Sequence, residues 1–244
     1  MTRIVRAAAG PGLALVVLVL SGCGSTAPLA SREIGYISQP GCDAFPRGER
    51  YVADRFRPAG IAFSIADSVM VAADPAKPFL LLDWGYPTEL RDYAIEQLGE
   101  LARDDYVFAL HSVMVQAPGA PTFDIAGYTF VDSLGVWPDL AVVVTDAIER
   151  RFHRSAVRDA IASTTVHELG HAFGIRGEPY RSPAGRLREH DRGGCVMWGL
   201  TDDADGRLWL TDPTFYPQPE WLWPFQGGFC DVCREILRSA NPAP

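Results

Sequence analysis

This sequence contains no internal repeat, and its longest biased tract is the short Pro-rich tail Asn241-Pro242-Ala243-Pro244, which sets aside repeat and low-complexity architectures. It also lacks a basic patch. The formal charge of −8 over 244 residues argues against a nucleic-acid binder, which would carry clustered Lys and Arg. No apolar run is long enough to span a bilayer, the best being Leu13 to Leu20. Histidine is scarce, at five, and so is cysteine, also at five, so each one found in a pattern carries weight. What is present is 48% hydrophobic and 21% charged residues, the profile of one compact domain that buries a full core without staples.

The first residues read as a leader rather than as part of the fold. Arg3 and Arg6 give a basic start, Leu13 to Leu20 is the apolar segment, and Leu20-Ser21-Gly22-Cys23 follows. That ending resembles the lipobox of bacterial lipoproteins, in which small residues precede a cysteine that becomes acylated. It implies a signal peptide over 1–22, lipidation at Cys23, and a membrane-anchored protein working outside the cytoplasm. Removing residues 1–22 takes away two arginines and no acids, so the charge becomes −8 − 2 = −10. Residues 23–34 are small and polar and read as a tether. The domain is then expected over 35–240, with an upper, sheet-bearing part to about 174 and a lower part over 175–240.

Within the domain, Ile61 to Met70 alternates as a strand does, and Phe79 to Leu82 is a short apolar strand. Thr88 can cap a helix over Glu89 to Arg103, and Tyr106 to Val115 reads as one further strand. Gly127 to Val131 and Ala141 to Val144 are two more, close enough in sequence to suggest antiparallel or edge pairing. A helix is expected from Ser155 to Phe173, with Val157, Ala160, Ile161, Thr164 and Glu168 forming its inward stripe and Gly174 stopping it. Strands alternating with helices in this way indicate a mixed α+β or α/β fold.

The chemistry lies on that last helix, in His167-Glu168-Leu169-Gly170-His171. Positions i and i+4 share a helix face, so His167 and His171 can both offer an imidazole to one metal ion. Glu168 can reach a metal-held water without being a ligand, which is the HExxH arrangement of a zinc site with a general base. A catalytic zinc takes three protein ligands and one open position. Gly174 would turn the chain towards a third ligand, but Gly177 occupies the place where a histidine would follow. A polar Pro/Gly segment from Arg176 to Arg186 then leads to Glu189-His190-Asp191, which makes His190 the candidate third ligand. Asp191, Glu189 and Glu178 are alternatives. His111, in a strand, and His153, before the helix, read as structural.

Taken with Gly174, Cys195-x-Met197 and the distant Cys230-x-x-Cys233, the motif resembles the archaemetzincin (archaelysin) family of metzincin-clan zinc metallopeptidases. The likeness covers about residues 140 to 238. It implies a zincin fold, with a mixed sheet and backing helix over an active-site helix. It also implies Met197 as the methionine-turn residue and a second, structural zinc on cysteines, here Cys195, Cys230 and Cys233, with Asp191 or Cys42 completing the set. Two departures stand out: Asp191 falls where the family has a cysteine, and the interval from Met197 to Cys230 is longer. The compartment offers a different reading, in which Cys42, Cys195, Cys230 and Cys233 form two disulfides.

The expectation is therefore a membrane-tethered zinc peptidase acting on a peptide or protein substrate, with Glu168 as its catalytic residue. The alternative is a surface lipoprotein in which the same fold serves only as a binding or scaffold module.

Overall fold

Strand β8, Asp139–Val144, explains the architecture best, because Leu140 to Val144 are five consecutive fully buried apolar residues. Such a run suits a strand covered on both faces, and β-branched side chains fit its pleat. In the computed structural model it lies fourth in a five-stranded sheet of order β2 (Ile61–Met70), β1 (Ala30–Ser38), β4 (Asp105–Leu110), β8, β7 (Gly127–Phe130). The structure describes residues 29–71, 79–82, 96, 105–111, 113–116, 123–124, 127–131, 138–175, 195–197 and 228–243.

All pairs in this sheet are parallel except β7 with β8, which run antiparallel with Gly127 opposite Val143 and Thr129 opposite Ala141. The edge pairing expected of the two short strands is thus observed. A second sheet, of order β3-β5-β6, holds Phe79–Leu82, Val113–Gln116 and Phe123–Asp124.

Four α-helices with defined bounds accompany the strands: α1 (Glu49–Phe56), which runs on into a 3-10 turn over Arg57–Ala59, α2 (Thr145–Arg151), α3 (Val157–Ala172) and α4 (Asp231–Ala240). None is long and apolar enough to cross a membrane. Alternation along β8 sends Ala141 and Val143 into a core shared with α1, α3 and α4, and Leu140, Val142 and Val144 into a second core on the opposite face. In the first core Phe56 is the aromatic centre: its ring lies 4.9 Å from Phe229, 5.0 Å from Phe173 and 6.2 Å from Phe63. Emptying a fully buried aromatic site of this kind costs about 3–5 kcal/mol.

The mixed sheet over a histidine-bearing helix is the fold class expected, but several local readings change. The stretch taken as a tether overlaps β1, which begins at Ala30 with Ile34 and Ile37 fully buried, so residues 30–34 belong to the sheet. The single strand expected over Tyr106 to Val115 is two strands in different sheets. The break falls at His111, whose backbone N–H donates to Gln39 Oε1 at 2.8 Å and whose ring meets Asp146 at 3.2 Å and the Pro40 carbonyl at 2.8 Å. Helix α3 is not a one-sided stripe. Ala162, Ser163, Thr165, Val166, Leu169, Gly170 and Ala172 are buried as well, because α1, the sheet and Phe229 enclose the helix. The helix expected over Glu89 to Arg103 lies outside the described residues except for Glu96, which is helical. The leader, Cys23 and the segment from 176 to 194, with Glu178, Glu189, His190 and Asp191, lie outside them too.

Candidate functional site

Helix α3 is held at both ends by contacts distant in sequence. Near its start Arg47 pairs with Asp159 at 2.5 Å, and at its middle Thr165 donates its hydroxyl to the Ala44 carbonyl at 2.6 Å. At its end Gly174 has φ +118°, a conformation that glycine tolerates and L side chains rarely adopt. There the N–H of Ile175 reaches the Gly170 carbonyl at 2.9 Å, and that of Gly174 reaches the His171 carbonyl at 3.1 Å. This pair of bonds is a Schellman closure with glycine at its left-handed position. Asn241, just after α4, donates to the carbonyls of Phe173 and Leu237 at 2.8 and 2.7 Å and accepts from Arg32 Nε at 2.6 Å. One buried side chain thus satisfies the ends of two helices and a strand.

The turn at Gly174 has a direct consequence for the motif. It carries the Ile175 carbonyl back to His171, where Nδ1 meets it at 2.6 Å. His167 is held in the same way: its Nδ1 lies 3.0 Å from the Val196 carbonyl. A carbonyl can only accept, so both Nδ1 atoms carry the proton and both neutral rings keep the Nε2 lone pair for a ligand bond. These two Nε2 atoms face one another at 3.2 Å. Two neutral acceptors at that distance do not hydrogen-bond to each other, and the spacing suits a cation held by both. Two nitrogens bound at the usual zinc distance to one tetrahedral ion are separated by about 3.3 Å. The residues present therefore fit such an ion.

The environment keeps the pair neutral. Burial lowers the His167 pKa against the opposing bond to Val196, and burial followed by the neighbouring His167 lowers His171 to about 4. Glu168 points the other way, its carboxyl raised above the usual range by burial and held back by His171 and by a bond from Thr129.

The turn Cys195-Val196-Met197 lies against the helix between the two histidines. Met197 is buried, and a Cβ added at Gly170 would sit 2.5 Å from its Sδ and 3.0 Å from the Phe229 ring. Gly170, unremarked in the motif, is what lets the methionine approach. One residue along, Val196 supplies the carbonyl that orients His167.

Cys195 begins a second constellation. Its Sγ lies 3.7 Å from that of Cys233, the backbone N–H of Cys230 donates to it at 3.3 Å, and all three sulfurs lie within 4.8 Å of one another. Two thiolates on one tetrahedral zinc are about 3.8 Å apart, so this set also fits a metal. Burial raises the Cys230 thiol, and the contact with Cys195 together with burial raises Cys233. Both shifts oppose ionisation in the absence of a compensating cation. Among the described residues no pair of cysteines is joined in a disulfide. Cys42 is not part of the group; it accepts a bond from the Thr145 hydroxyl at 3.2 Å.

Two site residues carry no local signature in the sequence. Thr129 and Gly127, on edge strand β7, meet Glu168 from across the sheet. Only the β7–β8 pairing brings them there, and no spacing within either segment announces it.

Neither a family model nor a curated protein matches the sequence. Among solved structures the chain is similar to archaemetzincin from Methanopyrus kandleri, at 14% identity over 86% of this chain and 95% of that one, with a TM-score of 0.43. The chemical reading rests on the side chains described above.

Proposed function

We propose that this chain is a zinc-dependent peptidase, tethered by a lipid on Cys23 and acting outside the cytoplasm on a peptide or protein substrate. The observation that carries the reading is the convergence of the His167 and His171 Nε2 atoms at 3.2 Å, beside the buried carboxylate of Glu168. His167 and His171 would hold the ion, and His190 is proposed as the third ligand. Bound zinc supplies a Lewis acid and an acidified water. Val196 and Ile175 hold the imidazoles in the ligand tautomer. Glu168 accepts the proton of the attacking water and delivers it to the leaving amine. Cys195, Cys230 and Cys233 are proposed to bind a second, structural zinc, and Met197 to serve as the apolar floor of the site. The disulfide alternative for these thiols is tested by metal content together with a free-thiol count.

A module that used this fold only for binding would have no need of a buried carboxylate next to two converging imidazole nitrogens. The decisive comparison is Glu168→Gln against His190→Ala. Glu168→Gln is expected to retain zinc while losing about 10²–10⁴-fold in peptide hydrolysis. His190→Ala is expected to lower zinc occupancy. Hydrolysis by Glu168→Gln at the parental rate would overturn the reading, and undiminished zinc affinity in His190→Ala would remove that ligand from it. Cys23→Ser is expected to release the protein from the membrane fraction.

A further inference from the structure

We propose that Thr129 is a positioning residue for Glu168: from edge strand β7 its hydroxyl holds one carboxylate oxygen and so fixes the direction in which the other accepts a proton. The inference rests on the peptidase reading and adds to it a residue outside the motif.

The strand's alternation sets up the contact. Tyr128 and Phe130 face the second core, their rings 4.1 Å apart, while Gly127 and Thr129 face α3. Thr129 Oγ1 lies 2.5 Å from Glu168 Oε2 and 2.9 Å from the Glu168 main-chain carbonyl. A hydroxyl has one proton and can satisfy only one of these at a time. The shorter contact, to Oε2, is the one that ties the side-chain carboxyl to the strand. Among the described residues no other side chain donates to this carboxylate.

Gly127 closes the arrangement from the same strand. A Cβ there would stand 2.5 Å from Glu168 Oε1 and 2.6 Å from Thr164 Cγ2, so any side chain would push the carboxylate out of place. One strand thus anchors Oε2 through Thr129 and leaves room for Oε1 at Gly127. With Oε2 held, rotation about the last side-chain bond stops and Oε1 keeps one orientation. A misplaced proton acceptor costs rate without altering how substrate is bound.

The test uses the full-length protein with Thr129→Val, which keeps the shape and loses the hydroxyl, and Thr129→Ser, which keeps the hydroxyl. A quenched fluorescent peptide library gives the activity, elemental analysis the bound zinc, and ¹³C-glutamate infrared difference spectra of metal-free protein, assigned with Glu168→Gln, the state of the carboxylate. Thr129→Val is expected to lower kcat about 10-fold or more with KM and zinc unchanged, and to move the Glu168 carboxylate band; Thr129→Ser is expected to restore both. If Thr129→Val does not fold, Thr129→Ala removes the same hydroxyl and is read identically. A Thr129→Ser variant as impaired as Thr129→Val, an effect on KM alone, or an unmoved carboxylate band would overturn the proposal. Should the parent cleave no peptide, the peptidase reading fails, and the infrared band alone decides whether Thr129 holds Glu168.

Discussion

The imidazole pair and the thiol cluster meet at one turn, Cys195-Val196-Met197, yet they are built in opposite ways. His167 and His171 come from a single helix, four residues apart, and the helix geometry alone puts them on one face. Cys195 and Cys233 are separated by 38 residues of sequence and are brought together only when α4 packs against the end of α3. A site built on one rigid element keeps its shape when the metal is lost. A site assembled from separate segments loses the cross-link that brings them together. Under the proposed function the first site would serve the chemistry and the second would tie α4 to the turn Cys195-Val196-Met197.

The largest effect should separate the two sites in stability. Cys233→Ala is expected to lower the melting temperature well beyond His167→Ala and to remove the effect of a chelator on melting. Thermal melts followed by circular dichroism, with and without chelator, make the comparison. Equal losses from both variants would break the proposed division of labour.

A smaller effect is expected where the two sites touch. Gly170→Ala places a methyl against Met197 and Phe229 and should cost about 1–3 kcal/mol by overpacking. Because Val196 orients His167 from the same turn, zinc affinity at the histidine site should fall in step with stability. Denaturant titration with a zinc-binding measurement on the same samples would show it. A loss of stability with full affinity would mean that the turn does not transmit between the sites.

A further effect is a pH dependence specific to the imidazoles. His171 has a pKa of about 4 in the folded protein, below the ordinary value of about 6.5 that applies when the chain is unfolded. Between these values the unfolded chain binds a proton that the folded one does not. In metal-free protein this contribution to stability is therefore complete above about pH 6.5 and declines as the pH falls towards 4. His171→Gln should flatten that decline, which urea titrations across the range would reveal.

Much of the site was legible because it is local. The spacing of His167 and His171, the neighbouring Glu168 and the stop at Gly174 all lie within eight residues, and each follows from helix geometry or backbone sterics. Residues 30–34 look like a linker because Ser31, Arg32 and Glu33 are polar, yet β1 pairs with β2 and β4 on its two sides and buries Ile34 and Ile37. The strand expected over Tyr106 to Val115 misses its break because the partners of His111, namely Gln39, Pro40 and Asp146, lie far away in sequence.

By itself, then, the sequence determined a helix with two imidazoles and a carboxylate at metal-site spacing, and a run of β-branched residues that had to become a buried strand. Tertiary structure alone decided the rest. Backbone carbonyls of Val196 and Ile175 select the histidine tautomers, the distant cysteines meet at α4, and Thr129 and Gly127 take hold of Glu168 across a sheet edge. The physical reason is range: helical periodicity acts over a few residues, whereas hydrogen-bond satisfaction and close packing act between whatever segments the fold brings into contact.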